Sequence, residues 1–104
     1  MKKYPVIWTP QAKRDLRDIK RYISRDAPST AKAFIRRIQE RVRNIGVMPT
    51  AAALVSDFPR PDVREIYVGS YRIIYRIREQ DVRILLVMHG AQLLIEDRLR
   101  DSDA

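Results

Sequence analysis

The residues best suited to chemistry cluster between Val63 and His89. Glu65, Arg72 and Arg76 fall on neighbouring β-prone stretches, with Arg64, Arg78 and Arg83 close by and the chain's single histidine, His89, at the end. A guanidinium meets carboxylate or phosphate through a planar fork of N–H donors, so this set suits the binding of an anion. The same residues also suit a cross-strand ion pair, Glu65 with Arg72 or Arg76, that fixes strand register. His89, with an ordinary pKa near ~6.5, is the one side chain here placed to serve as a general base near neutrality. It has no second histidine and no cysteine for company, so a His/Cys metal set and a thiol nucleophile are both excluded. A Gly-rich phosphate loop and a nucleophile elbow are also missing from the sequence. No metal or cofactor is expected.

Three strands must position these residues. Val63 to Val68 and Tyr71 to Arg78 flank Gly69-Ser70, a pair that fits a two-residue type II′ turn because glycine takes φ > 0 without steric cost. A second turn at Glu79-Gln80 leads into the strand that ends at His89. Counting from the two turns places Val68 opposite Tyr71, Ile66 opposite Ile73, Ile77 opposite Val82, Tyr75 opposite Ile84, Ile73 opposite Leu86 and Tyr71 opposite Met88. One face is then apolar. The other carries Glu65, Tyr67, Arg72, Ile74, Arg76, Arg78, Arg83, Leu85, Val87 and His89, and is the expected binding surface.

The preceding chain supplies a cover. Tyr4 to Trp8 reads as a short strand, and Thr9-Pro10 as an N-cap with proline at the first helical position. Ala12, Leu16, Ile19 and Ile23 then recur at helical spacing up to about Arg25. Asp26-Ala27-Pro28 breaks and restarts the chain into a second helix, about Pro28 to Ile45, with Ala31, Phe34, Ile35, Ile38, Val42 and Ile45 on one side and Gly46 as its stop. So short a link predicts an antiparallel helical hairpin. Eleven of the 21 basic residues lie between Lys13 and Arg43, where they read as a solvated outer face. Ala52 to Asp57 suggests a short edge strand, and Leu93 to Leu99 a short terminal helix. The order β, α, α, β-meander gives an α+β class: an N-terminal strand and an antiparallel helical hairpin packed on a three- to four-stranded, mainly antiparallel sheet, in one domain over residues 1–104.

Composition limits the partners. With 104 residues, 45% of them hydrophobic, the chain is long enough for one packed core. A formal charge of +8 and a pI near 10.3 call for an anionic counterpart. The absence of cysteine fits a reducing cytoplasm. No apolar run approaches the ~20 residues of a membrane span, so no membrane partner is expected.

The runs WTPQAKRDLRDIKRYI, PSTAKAFIRRI, REIYVGSYRIIYRI and VRILLVMHGAQ together resemble the ParE branch of the RelE/ParE toxin superfamily, over roughly Val6 to Leu94. The hairpin GSYRIIYRI followed by a strand ending in MHG is the most specific part. The resemblance implies a bacterial type II toxin bound and neutralised by a ParD-like antitoxin with an acidic C-terminal segment, and a non-catalytic poison of DNA gyrase. The alternatives within the superfamily are a RelE-like ribosome-dependent mRNA endonuclease and a toxin-fold protein that only binds. A nuclease would draw on His89, Arg72 and Arg64. It would also be expected to carry basic residues or a tyrosine after the last strand, whereas here no Lys or Arg appears between His89 and Arg98, and no tyrosine after Tyr75. Cleavage through the 2′-OH needs an acid, a base and charge stabilisation. Stabilisers are plentiful in this sequence and proton-transfer groups are scarce.

Overall fold

The computed structural model describes residues 3–92 together with Leu94 and Leu99. The elements run β1 (Val6–Trp8), α1 (Pro10–Ser24), α2 (Pro28–Ile45), a 3-10 turn (Pro49–Ala51), β2 (Ala53–Leu54), β3 (Val63–Val68), β4 (Tyr71–Ile77) and β5 (Val82–His89). The five strands form one sheet in the order β1-β5-β4-β3-β2. β1 lies parallel to β5 and the other pairings are antiparallel. The sheet thus exceeds the expected three or four strands by one, because both short edge strands pair. The terminal helix expected at Leu93 to Leu99 falls largely outside the described residues.

Local chemistry sets the element ends. Thr9 caps α1: its Oγ1 accepts from the Ala12 N–H at 3.2 Å and donates to the Ile84 carbonyl at 2.7 Å, so one hydroxyl ties the helix start to β5. Pro10 and Pro28 open the two helices in the first turn, where a missing N–H costs nothing. Gly46 closes α2 in right-handed geometry, with φ −63°. Its requirement is therefore space, not a positive φ: the Tyr4 N–H donates to its carbonyl at 2.8 Å, and a Cβ there would collide with the Tyr4 backbone oxygen. Gly69 does need its freedom, with φ +58°, and since Ser70 is not at positive φ the turn follows the type II′ pattern.

Two cores sandwich the sheet. On one side the helices bury Ala12, Ile19, Ile38, Val42 and Ile45 against Val68, Ile73, Tyr75, Val82, Ile84 and Val87. The Tyr75 hydroxyl donates to the Pro49 carbonyl at 2.6 Å, and burial pushes its phenol pKa up to about 12. On the other side Val55, Val63, Ile74, Leu85, Leu86, Met88, Leu94 and Leu99 form a second cluster with Phe58 packed against it.

The register holds as expected up to Tyr75↔Ile84 and then shifts. A bulge follows, so that Ile74 pairs with Leu86, Ile73 with Val87 and Tyr71 with His89. Leu85 is the extra residue. A bulge moves every later side chain to the opposite face, which corrects four expected positions: Leu86 and Met88 leave the helix side, while Val87 and His89 join it. Thr9 and the α1 residue Asp15 stabilise the irregular strand. Besides Ile84, the Thr9 hydroxyl reaches the Leu85 carbonyl at 3.3 Å, and Asp15 Oδ2 accepts from the Val87 N–H at 3.0 Å.

Candidate functional site

The expected open arginine face is closed. Ile74 and Leu85 are fully buried and Val87 is 3% exposed, so none of these three anchors is available to a partner from outside. Arg72 is also 3% exposed. Its Nε and Nη2 donate to Glu65 Oε1 at 3.0 and 2.7 Å, and Nη2 also donates to Asp57 Oδ1 at 2.8 Å. Burial by itself would lower the guanidinium pKa, but the hydrogen bonds to Glu65 and then Asp57 outweigh it and leave the pKa above its ordinary value. The hydrogen bond from Arg72 in turn holds the Asp57 carboxyl below the usual range. The cross-strand Glu65–Arg72 ion pair expected from the sequence is thus present, and Arg72, also read as a contact for an external anion, has its anions inside the fold.

The other strand arginines are engaged with this chain as well. Arg64 donates to the carbonyls of Pro61, Thr50 and Ala52 at 3.2, 3.1 and 3.0 Å, which pins the segment before β3. Arg76 lies 3.3 Å from Asp62 Oδ2, and Arg78 and Arg83 share Asp81 Oδ1 at 3.7 and 3.6 Å. Tyr67 is half exposed at the strand edge. His89 is exposed on the helix side of the sheet, its ring edge-on to Tyr71 with centroids 5.5 Å apart. Its Nδ1 accepts from the Ala91 N–H at 3.1 Å, so in the neutral ring the proton sits on Nε2. Arg64 pairs with Tyr75 and so faces the helices at the β3 edge, while Arg72 faces the second cluster. His89, Arg72 and Arg64 are therefore not brought together.

What the strands withhold, the helices present. All eleven basic residues between Lys13 and Arg43 are exposed. Residues 10–45 hold eleven basic and four acidic side chains, a net +7 of the chain's +8, whereas residues 46–104 hold eight basic and nine acidic. Two adjoining clefts lie along this surface. One, of about 360 Å³, is lined by Trp8, Leu16 and Ile35 with Lys13, Arg17, Lys20 and Gln39. The other, of about 290 Å³, is lined by Lys20, Lys32, Ile35, Arg36 and Gln39. The sequence did carry a signal for this: Glu65, Asp57, Asp62 and Asp81 are acidic residues within reach of the strand arginines, and the hairpin has no such balance. Thr9 was read as the helix cap it is, but its tie to β5 and that of Asp15 were missed because those partners are 72 or more residues away in the chain.

The family profile described as the ParE toxin of the parDE type II toxin–antitoxin system matches residues 6–94. The chain belongs to the ParE toxin family. Solved structures share the fold of this ParE-family toxin. The chromosomal ParDE toxin–antitoxin system from P. aeruginosa matches with a TM-score of 0.73 at 22% identity, covering 84% of this chain and 96% of that one. The toxin–antitoxin complex RelBE2 from Mycobacterium tuberculosis matches with a TM-score of 0.58 at 25% identity, covering 88% and 97%. The YoeB dimer from Staphylococcus aureus matches at 0.56 and 14% identity, covering 84% and 97%. No curated protein matches the sequence. Among the described residues no helix is long and apolar enough to cross a membrane, and no three of His, Asp and Glu come together as a metal site.

Proposed function

We propose that this ParE-family toxin acts in the cytoplasm by binding DNA gyrase and prolonging its cleaved-DNA state, with no bond-breaking chemistry of its own, and that a ParD-like antitoxin neutralises it. The separation of His89, Arg72 and Arg64 carries the non-catalytic part. A ribonuclease needs its proton-transfer group and its phosphorane stabiliser on one substrate. Here the histidine sits on the helix side, and Arg72 is committed to Glu65 and Asp57.

The antitoxin surface is read from the first cleft. Trp8, Leu16 and Ile35 give it an apolar floor, and Lys13, Arg17 and Lys20 give it a cationic wall. An acidic segment with apolar anchors, folding as it binds, complements both features. This replaces the sheet face as the docking surface, because Ile74, Leu85 and Val87 are buried. Of the strand residues, Tyr67, Arg78 and His89 stay exposed and remain available to the target.

The test is a gyrase supercoiling and cleavage assay run beside a translation reaction scored for mRNA cleavage. Gyrase-linked DNA breaks with intact mRNA are expected. Cut mRNA with unaffected gyrase would overturn the proposal.

A further inference from the structure

We propose that the cleft lined by Lys20, Lys32, Ile35, Arg36 and Gln39 seats a phosphodiester of duplex DNA, so that the helical hairpin holds DNA by its backbone. Three cations converge there from two helices, Lys20 from α1 and Lys32 and Arg36 from α2, with the Gln39 amide as a further donor and no carboxylate in the lining. Like charges gathered in one cleft of about 290 Å³ repel one another, and a multiply coordinated anion relieves that repulsion.

The surface continues the pattern. Lys13 and Arg17 line the adjoining cleft together with Lys20, at spacings of four and three residues along α1, or roughly 6 and 4.5 Å of helix rise. The row covers roughly 10.5 Å of helix rise, and with one phosphate per ~3.4 Å of axis on each strand of a duplex it runs past about three phosphates. Of the hairpin's four carboxylates, Asp15 is buried and accepts from the Val87 N–H, Asp18 lies 3.7 Å from Arg21, and neither Asp26 nor Glu40 lines either cleft. The lining of this cleft has no aromatic ring, whereas single-strand recognition leans on aromatic platforms. A backbone held in a regular duplex suits a cationic lining of this kind.

The inference rests on this charge geometry and not on gyrase being the target. A toxin that is inert toward gyrase and still binds duplex leaves it standing, and a gyrase poison that ignores free duplex overturns it.

The experiment is fluorescence anisotropy of a labelled duplex of about 20 base pairs with the full chain alone, from 50 to 200 mM salt. Contacts from Lys20, Lys32 and Arg36, extended by Lys13 and Arg17, predict a log–log salt slope of about −3 to −4.5, from roughly −0.9 per phosphate contact. Lys32→Glu should weaken binding about eightfold at 0.1 M salt and reduce the slope by about 0.9. Arg60→Glu changes the net charge equally, but at a residue that lines neither cleft and pairs loosely with Asp62 at 3.9 Å. It should change affinity less than about twofold, both variants being checked for fold by circular dichroism. Equal losses in the two variants would mean diffuse attraction and no seat. A folded wild type without salt-dependent duplex binding, or one that prefers single-stranded RNA, would also overturn the proposal.

Discussion

Replacing Arg72 with methionine should strongly destabilise this protein, although the sequence also allows it to be a surface contact. Arg72 is 3% exposed and Glu65 9%, and the Arg72 guanidinium donates twice to Glu65 Oε1 and once to Asp57 Oδ1. Arg72→Met keeps most of the side-chain volume but strands the Glu65 carboxylate in the second core. Removing one partner of a buried pair costs about 3–5 kcal/mol. The loss of the bond to Asp57 adds little, because that carboxylate is partly in water. For a domain of this size about 1 kcal/mol shifts Tm by roughly 4–8 °C, so a fall of more than about 12 °C is expected. Urea melts and thermal melts read it directly. The double variant Glu65→Leu with Arg72→Met removes both charges and should recover most of the loss, since apolar replacement of a whole buried pair is often neutral. A single variant that costs less than about 1 kcal/mol, or a double variant no better than the single, would refute the reasoning.

Three further outcomes are expected. Thr9→Val removes both the cap to Ala12 and the donor to the Ile84 carbonyl, and should cost about 2–3 kcal/mol in urea denaturation; a cost under about 0.5 kcal/mol would show that the bulge in β5 does not depend on Thr9. Leu99→Ala empties a fully buried position in the second cluster and should cost about 2–5 kcal/mol, so deleting the terminal segment tests the fold before it tests toxicity; a wild-type melt for Leu99→Ala would contradict this. Asp57 has a folded pKa below its unfolded value of 3.8 because of Arg72, so its contribution is fully present above that value and is lost as pH falls through the folded pKa. Wild type and Asp57→Asn should therefore differ in stability at neutral pH and converge in acid, and a gap that persists at pH 2 would point to another cause.

Much of the fold was legible because it is written in short-range chemistry. Thr9-Pro10 and Pro28 mark helix starts by their dihedral limits, and Gly69-Ser70 marks a turn by its positive φ. The apolar rows of α1 and α2 follow from a period that each helix displays by itself. The site was less legible. A count from two turns gave the right pairing as far as Tyr75 and Ile84, but one extra residue at Leu85 exchanged the faces of Leu86, Val87, Met88 and His89. Nothing in VRILLVMH distinguishes a regular strand from a bulged one, since every residue from Ile84 to Met88 is apolar.

The sequence by itself determined the ParE-family fold class, the two helices with their basic exteriors, the hairpin turn and the absence of a thiol site. These depend on residue type and on neighbours within a turn or two. Only the tertiary structure decided which cations face outward. The sequence offers Glu65 as a partner for Arg72 but not the burial of the pair: Arg72 is enclosed by Glu65 and Asp57 under a second core that includes Leu94 and Leu99, while Arg36 stands in an open cleft with Lys20 and Lys32. The reason is physical: burial is a property of what the whole chain packs over a residue, and a charge that loses water keeps its place only where the fold supplies the counter-charge.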